Sequence, residues 1–150
     1  MDIELKDLPS QTVLCIRTRT SVEKLPQIIG ESYMKIANYL QDLREQTAGV
    51  PYTAYYNMDM QDLDVEMGFP VSKPLPEKEE IKSREIPAGR AITVMFKGPY
   101  SDMEPTYNEI MRWMEEKGHN WTGISYEYYY NSPQEVPESE LLTQIVIPVA

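Results

Sequence analysis

With 24 acidic against 14 basic side chains in 150 residues, the chain carries a formal charge of −10, and its bases are scattered rather than drawn into a stripe, so direct nucleic-acid binding is excluded as an expectation. A single cysteine excludes an intrachain disulfide, the N-terminus shows no basic segment followed by an apolar one, and no apolar run nears the roughly 18 residues that crossing a bilayer takes. A cytoplasmic protein of one domain, with no membrane partner, is the expectation.

In chain order, the alternation in IELKDL (3 to 8) predicts a strand, Pro9 a turn, and TVLCIRT (12 to 18) a more apolar strand in which Cys15 is a small buried residue. Ile29, Tyr33, Ile36, Leu40 and Leu43 recur at helical spacing and make one apolar face. Two strands follow at about 52 to 58 and 64 to 71, and the acidic EKEE (77 to 80) reads as solvated loop, as does ESE (138 to 140). The order then repeats. IKSREI (81 to 86) and RAITVMFKG (90 to 98) are strands around Pro87; Met103, Tyr107, Ile110 and Met114 predict a second amphipathic helix; and strands close the chain at about 124 to 131 and 141 to 149. Ser101 with Glu104 predicts a capping box, Pro105 is tolerable in a first turn, and Gly118 supplies the stop. His119 reads as a helix-end residue rather than a haem ligand. No cluster of metal-ligating residues is apparent, and neither metal nor cofactor is expected.

The repetition is internal to the sequence. Pro9 maps to Pro87 (87 − 9 = 78), Tyr33 to Tyr107 (107 − 33 = 74) and Pro70 to Pro148 (148 − 70 = 78), with the register changes falling between recognisable segments. The chain is thus expected to be one α+β domain over residues 1 to 150. It would be an internally duplicated strand, helix, strand, strand module with repeats at about 1 to 75 and 78 to 150, an antiparallel sheet and two long helices. Half of it would be marginal alone, and a cleft for small ligands is expected at the pseudo-twofold interface of the copies.

Where the copies differ, function is sought. Under the shift of 74, Glu127 stands where the first copy has Thr53. Strand alternation puts Ser125, Glu127, Tyr129 and Asn131 on one face and Tyr126, Tyr128 and Tyr130 on the other. A carboxylate beside phenol rings in a reduced dielectric is retained when something compensates it, and a cationic ligand would do so; the alternative is a wet, exposed face. Eleven tyrosines against two phenylalanines favour amphipathic surfaces over a dry core. Tyr33 and Tyr107 lie on the helical stripes and read as core or as ligand contacts. Trp121, at the entrance to the Glu127 strand, and Tyr55 and Tyr100 are further candidate lining residues, whereas Trp113 reads as core.

KGPYSDMEPTYNEIMRWMEEKGH, YEYYYNSPQEVPESELLTQIVIPV, AGVPYTAYYN and DVEMGFPV together resemble the GyrI-like small-molecule-binding domain, the effector-binding domain of bacterial multidrug-responsive transcription activators. The resemblance spans essentially the whole chain, with Ser132 departing from a frequent Asp in the turn. It implies an aromatic cleft for hydrophobic, often cationic compounds, with the acidic pocket residue falling on Glu127 and its tyrosine neighbour on Tyr129. Because strand-like sequence begins at Ile3, a copy standing without the DNA-binding domain that precedes this module in regulators is the expectation. Three functions follow from the resemblance: a drug or metabolite binder without catalysis; a hydrolase of cyclopropane-bearing or similarly strained electrophiles, with Glu127 as general base and Tyr129 stabilising developing negative charge; and a gyrase-modulating module that binds topoisomerase. A homodimer is one further partner option.

Overall fold

The computed structural model describes residues 2–150, with eight strands and two helices in an α+β fold. In chain order these are β1 (Glu4–Leu8), β2 (Gln11–Thr20), α1 (Leu25–Leu43), β3 (Tyr52–Tyr55), β4 (Leu63–Pro70), β5 (Lys82–Ile86), β6 (Gly89–Lys97), α2 (Glu104–Lys117), β7 (Ser125–Tyr129) and β8 (Leu142–Pro148). All the strand pairs described here are antiparallel. The predicted order of elements is therefore observed, twice over. Among the described residues no helix is long and apolar enough to cross a membrane.

The chain forms two compact units, one of Pro9–Ala88 and one of the segment up to Leu8 with Gly89–Ala150. The first has strand order β5-β2-β4-β3 with α1, and the second β1-β6-β8-β7 with α2, so equivalent strands occupy equivalent places. The opening strand of each sequence repeat does not pair with the strand that follows it. Instead β1 lies along β6, with Glu4 opposite Thr93, and β5 along β2, with Ile86 opposite Gln11.

Each unit is held by the stripe its helix presents. In Pro9–Ala88, Ile36 and Leu40 are buried against Leu14 and Ile16, while Ile29 and Tyr33 pack on Val65 and Met67 of β4. In the other unit, Ile110 and Met114 meet Ile92, Val94, Ile145 and Ile147. Full burial of one such aliphatic side chain contributes about 1.5–3 kcal/mol, so these seams outweigh anything helix propensity adds.

Helix α1 ends where Arg44 adopts the left-handed region (φ 57°) and its N–H reaches the carbonyls of Gln41 and Leu40. Helix α2 stops at Gly118 (φ 75°), as its sequence predicts. The capping box does not form: Met103 occupies the cap of α2 with no side-chain hydrogen bond, and Ser101 lies in a preceding 3-10 turn, Tyr100–Asp102. That turn separates Ser101 from the first helical N–H groups, which ends the local logic of the motif.

Candidate functional site

Strand β7 pairs with β8 so that Glu127 stands opposite Ile145 and Tyr129 opposite Thr143. Ile145 belongs to the cluster beneath α2, so alternation turns Glu127, Tyr129 and Thr143 towards the helix. From α2, the phenol of Tyr107 donates to Glu127 Oε2 at 2.5 Å. From two residues along the strand, Tyr129 donates to Oε1 at 2.9 Å. Tyr100, from the turn before α2, sets its ring edge-on to Tyr129 at 5.7 Å between centroids. One carboxylate thus carries two phenol donors, one on each oxygen, and a third ring stands beside the second donor.

Glu127 keeps partial contact with solvent, yet the protein packed around it raises its carboxyl pKa above the ordinary value, while the Tyr107 and Tyr129 hydrogen bonds pull the other way. Tyr100 is pushed up in turn, by its own burial and then by the Glu127 charge. The site therefore favours neutralising its acid but is furnished with donors that suit an anion. A bound cation would relieve that opposition, and so would a proton.

The predicted site residues divide into groups. Glu127, Tyr129, Tyr107 and Tyr100 come together. Tyr33 and Tyr55 belong to the Pro9–Ala88 unit and repeat the arrangement without its charge: Tyr33 donates to the Tyr52 carbonyl at 2.6 Å and lies 2.9 Å from Thr53 Oγ1, while Tyr55 packs on the Val65 and Met67 cluster. Tyr33 with Thr53 is the sequence equivalent of Tyr107 with Glu127, so the helix-to-strand phenol contact exists in both copies and only one holds an acid. Trp121 packs into the cluster under α2 and its indole N–H donates to the Ile124 carbonyl at 3.0 Å. His119 follows the end of α2 and stacks on Trp113, with centroids 5.8 Å apart.

A second acid escaped sequence reading. Glu66 on β4 is almost wholly buried, accepting from Tyr52 at 2.5 Å, Tyr56 at 3.0 Å and Arg84 Nε at 2.9 Å, with Arg84 Nη2 also donating to Tyr56. Its neighbours Val65 and Met67 point to α1, so Glu66 occupies the opposite face, beside Cys15, whose thiol burial and then the Glu66 charge push up to about 12. Gly68 makes room for this network: a Cβ there would lie 2.7 Å from the Leu14 carbonyl oxygen and 2.8 Å from the Tyr52 ring and hydroxyl. The available signal was an acid flanked by the apolar Val65 and Met67 and two residues before a glycine, DVEMGFPV. Every oxygen of Glu66 is satisfied within the protein, which suits a structural role.

An open surface hollow of about 580 Å³, lined among others by Glu109, Arg112 and Trp113, shares no lining residue with the Glu127 cluster. Among the described residues no group of three or more His, Cys, Asp or Glu could hold a metal ion.

Comparison with known proteins follows the same lines. The model of the GyrI-like small molecule binding domain matches residues 1–150. EcmrR in its DNA complex superposes with a TM-score of 0.86 at 24% identity, covering 99% of this chain and 57% of that one. The chain thus spans little more than half the length of that relative. The isolated EcmrR C-terminal domain gives 0.76 at 26% identity, covering 99% and 97%. A hydrolase encoded by lin2189 from Listeria innocua gives 0.71 at 15%, covering 99% and 92%, and SAV2435 bound to tetraphenylphosphonium gives 0.67 at 11%, covering 100% and 94%. No curated protein sequence matches significantly. By a match that runs from the first residue to the last, the chain belongs to the GyrI-like small-molecule-binding domain family.

Proposed function

We propose that this chain binds small lipophilic organic cations, with Glu127 as the charged contact and the rings of Tyr107, Tyr129 and Tyr100 as its aromatic surround. The observation that carries this reading is the carboxylate held by two phenols on the helix-facing side of β7, open in part to solvent and raised in pKa by burial. Each oxygen accepts one hydrogen bond, which leaves further lone-pair directions for a ligand. A cation over a well-placed aromatic face gains about 0.5–2 kcal/mol, and a single carboxylate selects charge without dictating shape, so breadth of ligand follows. A net charge of −10 draws cations in the same sense. The tetraphenylphosphonium complex of SAV2435 supports this chemistry by analogy of fold.

The test is a fluorescence titration of wild type and Glu127→Gln with tetraphenylphosphonium and with neutral triphenylphosphine oxide. Wild type should bind the cation at least tenfold more tightly than the variant does, and the neutral compound should not distinguish them. Equal cation binding by both proteins would overturn the reading.

A second reading is favoured by the same pKa observation. A carboxylate raised towards neutrality is suited to act as general base on a water, with a phenol such as that of Tyr129 donating to developing negative charge on a strained, cyclopropane-bearing electrophile. The hydrolase from Listeria innocua shares the fold. Incubation with such a compound, followed by NMR for the ring-opened product, separates hydrolase from receptor.

A further inference from the structure

Thr143 is wholly buried on β8, and its hydroxyl has no hydrogen-bond partner among the described residues. It faces Tyr129 across one strand pair and Phe96 across the other. Alternation sets it on the same side as Ile145 and Ile147, which lie under α2, and hence on the side of Glu127 and Tyr129. Register makes it the diagonal neighbour of Glu127, which stands opposite Ile145, roughly 7–8 Å away between backbone positions. The two side chains share that face without a bond between them: the Glu127 oxygens take the Tyr107 and Tyr129 phenols.

The duplication shows that packing does not require this hydroxyl. Under the shift of 78 the equivalent residue is Val65 (143 − 78 = 65), equally buried and likewise turned to its helix. Valine and threonine fill the same volume, so the fold accepts a hydrocarbon where the second copy has an unpaired polar group. A buried donor left unmade is costly and calls for an explanation. Thr53 to Glu127 and Val65 to Thr143 are changes in the same direction, and both place polarity on the helix-facing side of one unit.

We infer that Thr143 is a specificity-determining residue of the Glu127 site, and that it selects ammonium ligands carrying at least two N–H groups over quaternary cations. The inference rests on the cation reading above. One N–H of a primary ammonium takes the place of the Tyr129 phenol on Glu127 Oε1, the partly exposed Tyr129 ring moves aside, and a second N–H donates to the Thr143 oxygen. A trimethylated cation has no N–H to give and gains nothing from that oxygen.

Calorimetric titration with 2-naphthylmethylammonium and its N,N,N-trimethyl counterpart tests this, on wild type, Thr143→Val, Thr143→Ser and Glu127→Gln. Wild type should prefer the primary ammonium about tenfold; Thr143→Val should erase that preference and leave the trimethyl compound within twofold, and Thr143→Ser should keep the preference. The melting temperature of ligand-free Thr143→Val should equal or exceed that of wild type, which separates lost recognition from lost folding. Binding that depends on Glu127 yet is unmoved by Thr143→Val, or is weakened equally for both compounds, overturns the inference alone. A wild type that binds neither compound, or binds both regardless of Glu127→Gln, overturns the cation reading and this inference with it.

Discussion

Replacing Tyr107 with Phe removes one hydroxyl and leaves the ring on α2, so the 2.5 Å bond to Glu127 Oε2 is lost while the aromatic packing stays. A hydrogen bond to an ionised group contributes about 1.5–3 kcal/mol and a neutral pair about 0.5–1.5 kcal/mol. Because the site is only partly buried, the lower part of the first range applies, and Tyr107→Phe should destabilise the chain by about 2 kcal/mol at pH 8. In a Glu127→Gln background the same substitution removes a neutral bond and should cost about 1 kcal/mol, giving a coupling of about 1 kcal/mol in a double-mutant cycle. The Tyr107 phenol favours the charged carboxylate, so its loss should matter most above the folded pKa of Glu127 and shrink as pH falls through it. Urea unfolding of the four proteins at pH 8 and pH 4.5 reads both effects. Additivity within about 0.5 kcal/mol, or a Tyr107→Phe effect that does not change with pH, would refute the claim that this phenol holds an ionised acid.

Two further expectations concern pH and packing. Burial raises the folded pKa of Glu127, so between the ordinary carboxyl value and the raised one the folded chain holds a proton that the unfolded chain has released. Its contribution is therefore fully present below the ordinary value and lost as pH rises through the raised one. Glu127→Gln should flatten that part of the stability profile and be more stable than wild type at pH 8 without ligand, whereas cation binding by wild type should fade in acid through the same raised value; loss of binding only at the pH of a free carboxyl would refute it. Gly68→Ala drives a methyl group to within 2.7 Å of the Leu14 carbonyl and 2.8 Å of the Tyr52 ring and hydroxyl, and should cost about 1–3 kcal/mol in denaturant unfolding; a neutral result would show that β4 and Tyr52 can part without loss.

Much of this molecule is written in local pattern. The helical stripes of Ile36 with Leu40 and Ile110 with Met114, the Gly118 stop, and the mapping of Tyr33 on Tyr107 could be read directly, because helix periodicity and backbone conformation are set by neighbours in the chain. Comparison of the copies singled out Glu127 without any structure. The capping box failed because a helix start depends on the path of the chain entering it, and here a 3-10 turn intervenes. Trp121 offered an aromatic residue beside the key strand but no sign of which way its ring would turn.

The sequence alone determined the class of elements, their order, their duplication and the one position where the second copy exchanges a hydroxyl for a carboxylate, since each is a matter of spacing along the chain. Tertiary structure alone decided that Tyr107 and Tyr129 hold that carboxylate, that β1 and β5 pair away from their own repeats, and that Glu66 and Thr143 are buried, one fully bonded and the other bare. These depend on strand register and on which face meets the helix, and a shift of one residue would turn every side chain the other way.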